Sequence, residues 1–137
     1  FQKIIKNFVS KNKNCRAYEN LGQKVFLSLM KISSLMIGNS SSGILECPSF
    51  NKYSINIGSR QEGRIYSKSV INLPRDISRL DNIINKLLKK KRNDKIVNFK
   101  NSYYKKNTIS NIIKILKTVK KSQLKDIKNF NDLNINI

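Results

Sequence analysis

Histidine is absent from this sequence, and cysteine occurs only twice, as Cys15 and Cys47. Two thiols with no imidazole beside them are too few for a disulfide framework or a zinc site, so neither a metal nor any other cofactor is expected. No run of about eighteen apolar residues occurs, so no membrane-spanning helix is indicated. The opening residues, Phe1-Gln2-Lys3-Ile4-Ile5-Lys6, show neither an initiator methionine nor a signal-peptide pattern. A cytoplasmic location and a chain cut from a longer protein are the expectations. Acidic residues are scarce too, with 8 Asp and Glu against 28 Lys and Arg, a net charge of +20. Such a balance ordinarily points to nucleic acid. Here, however, lysine is spread among asparagine and isoleucine through every segment, as a genome-wide compositional habit would spread it. Nucleic acid is therefore not the expected partner, although a basic field favours a phosphorylated small substrate.

What the sequence does contain is centred on residues 38–64. The apolar run Leu35-Met36-Ile37 stops at Gly38 and gives way to Asn39, three serines and Gly43, after which Ile44-Leu45-Glu46 resumes a helical pattern. Strand, small-residue loop and helix start follow one another. The first helical turn leaves backbone N–H groups free at the positive end of the helix dipole, where an anion, commonly phosphate, fits. Serine hydroxyls add donors, and Glu46 offers an acceptor for sugar hydroxyls. The same residues also serve as ordinary caps and loops. A second apolar run, Ser54-Ile55-Asn56-Ile57, again ends on glycine, at Gly58, and is followed by Arg60, Gln61 and Arg64. Two strand ends thus bring polar and cationic groups to one edge of a parallel sheet.

The remaining segments fit one α/β domain with a mostly parallel sheet, and 137 residues are one domain's worth. Phe1, Ile4, Ile5 and Phe8 mark a short amphipathic helix over residues 1–9, with no strand before it. If the domain is of the βαβ type, its first strand lies upstream. Residues 15–18 read as a short strand, and Val25, Phe26, Leu29, Met30 and Ile32 as the sheet-facing stripe of the next helix. Val70, Ile71 and Leu73 predict a third strand ended by Pro74. Asp76 is expected to cap a helix that buries Leu80, Ile83, Ile84, Leu87 and Leu88, with Lys89-Lys90-Lys91-Arg92 at its C-terminal end, where cations suit the dipole. Phe99, Tyr103 and Tyr104 can anchor a polar stretch, and Thr108 is expected to cap a last helix carrying Ile109, Ile112, Ile113, Ile115, Leu116 and Val119 to about Lys121. Residues 122–137 form a polar tail with too little apolar content to insist on structure.

The run Gly38-Asn39-Ser40-Ser41-Ser42-Gly43-Ile44-Leu45-Glu46-Cys47-Pro48-Ser49-Phe50, followed by Ile55-Asn56-Ile57-Gly58-Ser59-Arg60-Gln61-Glu62-Gly63-Arg64, resembles the C-terminal domain of UDP-N-acetylglucosamine 2-epimerases. It is most similar to the hydrolysing branch, which makes N-acetylmannosamine or a related 2-epimer for sialic-acid-type sugars. Leu21-Gly22 and the helix after them fit the same pattern, so the similarity spans about residues 1–120. The resemblance implies a Rossmann-like parallel sheet flanked by helices over residues 1–121, lacking its first strand and forming the C-terminal half of a glycosyltransferase-B-like fold. Ser40 and Ser41 would hold the diphosphate of a UDP-sugar, supported by Asn39, Ser42 and Gly43. Glu46 would bind the ribose, Arg60 would line the UDP site and Leu21 would lie beside the uracil.

In such enzymes UDP is eliminated across C1 and C2 of the sugar and the resulting glycal is hydrated. The groups that move the C2 proton belong to the N-terminal domain, so no catalytic residue is assigned to this chain, and turnover is not expected without that partner domain. A homo-oligomer is compatible with the resemblance. Tyr53 replaces a usual proline, and Asn101-Ser102-Tyr103-Tyr104-Lys105-Lys106 departs from an N-P-Y-G-x-G loop at Ser102, Tyr104 and Lys106. Two other readings stand beside this one. One is a non-hydrolysing epimerase or glycosyltransferase domain; the other, of a different class, is a basic nucleic-acid-binding module.

Overall fold

A computed structural model describes residues 2–93 and 98–120. The tail expected at 122–137 lies outside the described residues. The first compact unit ends at Tyr104, and a second begins at Lys105.

In the first unit, α1 (Gln2–Lys11) and α2 (Gly22–Ile32) precede β1 (Leu35–Gly38), followed by a one-turn α3 (Ser42–Leu45) and a 3-10 turn, Cys47–Phe50. β2 (Tyr53–Ile57), β3 (Val70–Leu73) and α4 (Leu80–Asn93) complete the regular elements. The three strands form a parallel sheet in the order β1-β2-β3, with Gly38 opposite Asn56 and Asn56 opposite Asn72. This is the expected α/β architecture, a Rossmann-like parallel sheet flanked by helices.

β2 is the central strand, and alternation along it sorts its side chains between two faces. Tyr53, Ile55 and Ile57 belong to the cluster with Leu35, Ile71 and Leu73, over which α4 lays Leu80, Ile83, Ile84 and Leu87. Leu88, expected on that buried face, is exposed. Phe99 closes the cluster from beyond α4, its ring edge-on to Tyr53 with centroids 4.9 Å apart. Ser54 and Asn56 take the other face, and Ser54 Oγ donates to the Gly43 carbonyl of α3 at 2.6 Å. On that side Ile44 and Cys47 are almost fully buried, and Cys47 Sγ lies 3.5 Å from Met36 Sδ.

Four local expectations are corrected. Residues 15–18 form no strand. The helix expected at Ile44-Leu45-Glu46 stops at Leu45, because Pro48 has no N–H to donate back to Ile44, and the chain continues as the 3-10 turn that begins at Cys47. Asp76 caps a turn instead of a helix: its carboxylate accepts from the Ser78 N–H at 2.9 Å and from the Ser78 hydroxyl at 3.1 Å, while α4 begins at Leu80. Finally, of the stripe expected on α2, Met30 is buried and Phe26 partly so, with Leu27 partly buried beside it; Val25, Leu29 and Ile32 stay exposed, as do Ile4, Ile5 and Phe8 of α1.

The second unit contains α5 (Thr108–Thr118), which buries none of its residues. Thr108, expected as its cap, is its first residue and donates to the Lys105 carbonyl at 2.6 Å, while Asn107 holds the cap position with a left-handed φ of 62°.

Ile55 is 1% exposed and Ile109 is 74% exposed. Ile55→Ala is therefore expected to cost about 2–5 kcal/mol in urea denaturation. Ile109→Ala is expected to stay within about 0.5 kcal/mol of the parent chain.

Candidate functional site

β1 and β2 end side by side, and the turns that leave them carry most of the candidate residues. After Gly38 the chain passes through Asn39, Ser40 and Ser41 into α3, whose first bonds are tight. The Gly43 N–H donates to the Ser40 carbonyl at 3.2 Å, and those of Ile44 and Leu45 donate to Ser41 at 2.9 and 2.8 Å. The Ser42 N–H donates to Ser40 Oγ at 3.3 Å. The N–H groups of Ser40 and Ser41 have no protein partner among the described residues. Since α3 is a single turn, a macrodipole contributes little, and the local donors are these two amides and the serine hydroxyls.

Gly43 suits the close approach of this turn to β2. A Cβ there would stand 3.3 Å from Ser54 Cβ and 3.4 Å from Ser54 Oγ, so a methyl group would need Ser54 to give by a few tenths of an ångström. Glu46 caps the end of α3, half-buried, and its Oε2 is buried without a partner among the described residues. A carboxylate oxygen so placed costs about 1–3 kcal/mol or more unless a donor reaches it.

Arg60 is exposed in the turn after β2, where Gly58 reverses the chain with a φ of 78°. Gln61 beside it points inward: it is 4% exposed, and its Nε2 donates to the Asn39 carbonyl at 2.9 Å. Thus the turn bearing Arg60 is bonded to the turn bearing Ser40 and Ser41. Leu21 sits elsewhere, at the start of α2, between a shallow polar hollow of about 370 Å³ and an apolar one of about 190 Å³ that reaches Leu35 and Met36. Among the described residues no hydrogen bond ties it to the serine turn. A cleft of about 520 Å³ opens at the ends of β2 and β3, lined by Asn56, Ser59, Tyr66, Asn72 and Arg75 among others, and none of Ser40, Ser41, Glu46 or Arg60 lines it.

Several contributors have no individual signal in the sequence. Gln61 is legible there only as one polar residue among several after a strand. The Asn56 amide donates to Asn72 Oδ1 at 2.9 Å across the sheet edge, while its own Oδ1 is buried and unpaired among the described residues. Asn101 Nδ2 donates to the Leu45 carbonyl at 2.7 Å and to Ser49 Oγ at 2.6 Å, fastening the 98–104 segment to the end of α3 and the 3-10 turn after it. Tyr103 anchors the same segment, its hydroxyl accepting from the Ile65 N–H at 3.0 Å, whereas Tyr104 is exposed. Tyr104 and Lys106 hold negative φ values, since Asn51 and Asn107 alone among the described non-glycine residues are positive.

Burial first, and the Glu46 charge second, push the Cys47 thiol from an ordinary 9.0 up to about 11, with Lys52 pulling the other way. Cys47 is therefore a packing residue, and Cys15 is the more exposed thiol.

The family profile described as UDP-N-acetylglucosamine 2-epimerase matches residues 1–117. The chain is 36% identical over 124 residues to the polysialic acid biosynthesis protein P7 of Escherichia coli, covering 87% of this chain and 32% of that protein. It is 46% identical over 85 residues to the GDP/UDP-N,N'-diacetylbacillosamine 2-epimerase (hydrolyzing) of Campylobacter jejuni, covering 61% of this chain and 22% of that one. A UDP-N-acetylglucosamine 2-epimerase of Neisseria meningitidis is 41% identical over 56 residues, 41% of this chain and 15% of its own. The chain spans no more than about a third of the length of these curated relatives.

With its thiol raised to about 11, Cys47 has about a hundredth of the thiolate that a thiol at 9.0 would have at pH 8. Titration with a chromogenic disulfide is expected to give one fast equivalent, abolished by Cys15→Ser, and one slower by at least about a hundredfold.

Proposed function

The chain belongs to the UDP-N-acetylglucosamine 2-epimerase family, and from that premise we propose that residues 1–121 are the UDP-binding part of a hydrolysing 2-epimerase. The complete enzyme would be a two-domain, glycosyltransferase-B-like cytoplasmic protein that closes over a UDP-sugar, releases UDP and yields N-acetylmannosamine or a related 2-epimer. Turnover needs the N-terminal domain, because the groups that move the C2 proton are assigned there. Two relatives, from Campylobacter jejuni and Legionella pneumophila, carry the word hydrolyzing in their names, and this supports the hydrolysing reading over a non-hydrolysing epimerase.

The observation that carries the proposal is the pairing of free donors with a buried free acceptor on one short turn. Ser40 and Ser41 offer unbonded N–H groups and hydroxyls to a diphosphate, and Glu46 Oε2 is desolvated without a donor among the described residues. Ribose hydroxyls supply that donor. Departure of UDP concentrates negative charge on the diphosphate, and fixed amides with the Arg60 guanidinium stabilise it without reorganising. Leu21 gives the uracil an apolar contact.

Calorimetric titration of the chain with UDP, with circular dichroism to verify folding, tests this reading. Half a cleft is expected to bind with a dissociation constant on the order of a millimolar, about −4 kcal/mol. Glu46→Gln is expected to weaken binding by about 1–3 kcal/mol. A folded chain that ignores UDP yet binds RNA with a steep loss in salt, unchanged by Glu46→Gln, would overturn it in favour of a nucleic-acid module.

A further inference from the structure

We propose that Gln61 is a positioning residue that aims the Ser40 N–H at the diphosphate, an inference resting on the UDP reading above. The argument is one of peptide geometry. The Asn39 carbonyl and the Ser40 N–H belong to the same peptide unit, and no described peptide bond is cis. In a trans peptide the C=O and N–H point in opposite directions. Gln61 Nε2, 2.9 Å from the Asn39 oxygen, draws that carbonyl inward beneath the turn after β2. The Ser40 N–H therefore points the other way, and it has no protein partner among the described residues. The same bond keeps a carbonyl dipole, which would repel a phosphate, turned away from the anion.

The surroundings of Gln61 separate this role from simple core filling. Its neighbours Arg60, Glu62, Gly63, Arg64 and Ile65 are all exposed, while Gln61 is 4% exposed. Its own carbonyl is held by the Tyr66 hydroxyl, which donates at 2.6 Å. Its Oε1 is buried with no partner among the described residues, so an apolar side chain of the same size would avoid that cost. What the amide alone supplies is the donor to Asn39. Because Arg60 is the adjoining residue, the same bond also holds the Arg60 main chain near the serine turn.

The test compares Gln61→Met, which keeps the volume but cannot donate, with the parent chain. UDP and uridine are titrated in parallel, and the Ser40 amide resonance is followed without ligand. Expected are a roughly tenfold loss of UDP affinity, uridine affinity within about twofold of the parent, and a displaced Ser40 amide resonance. Tyr66→Phe, which releases the Gln61 main chain, is expected to move both readouts the same way by less. It serves where Gln61→Met fails to fold. Equal losses for UDP and uridine, or an unaltered Ser40 amide, would overturn the proposal. A parent chain that binds neither ligand would sink the UDP reading and the diphosphate role with it, while the amide resonance still decides whether Gln61 orients the Ser40 peptide.

Discussion

The contact on which the rest of this structure depends is the seat of the serine turn on β2. Ser54 donates to the Gly43 carbonyl at 2.6 Å, and a β-carbon at Gly43 would crowd Ser54 at 3.3 Å. Together they clamp the chain that leaves β1 onto the strand beside it. Because β2 is buried on both faces, the turn inherits the rigidity of the core, and Gln61 repeats the clamp from the opposite side through Asn39. A loop of serines without these two fastenings would have many conformations to lose on meeting a ligand.

Much of the frame is legible in the order of residues. Apolar runs that stop at glycine locate β1 and β2, and helical spacing locates α1, α2, α4 and α5. The departures share a cause, which is that local composition does not name its partner. Cys15 to Tyr18 has a strand-like composition, but no described strand pairs with it, and a strand is a property of its partner as much as of itself. Asp76 has capping chemistry that an Asx turn uses equally well. Pro48 shortens α3 whatever residues precede it, because the N–H that a longer helix would need there is absent.

The candidate site divides along the same line. Ser40, Ser41 and Glu46 sit within one short segment, so their proximity follows from the sequence directly. Gln61 and Asn101 act across 22 and 56 residues, and no local pattern shows that these polar side chains turn inward. The charge is informative mainly by its dispersion. Lysines lie in every segment, and the cationic residue singled out beside the serine turn is an arginine, Arg60, brought there by the end of a strand.

The bond from Asn101 to Leu45 also carries a consequence in time. It fastens the end of α3 with a residue that leaves the ribosome 56 positions later. At about 5–20 residues per second, the segment bearing Glu46 waits roughly 3–11 seconds for its last fastening. Once β2 and β3 have emerged, in the later part of that interval, the sheet can pair and Gly43 can seat on Ser54 before Asn101 arrives. The seat of the serine turn thus precedes its last fastening during synthesis, and a nascent chain halted before residue 101 would hold that turn without the bonds from Asn101 to Leu45 and Ser49.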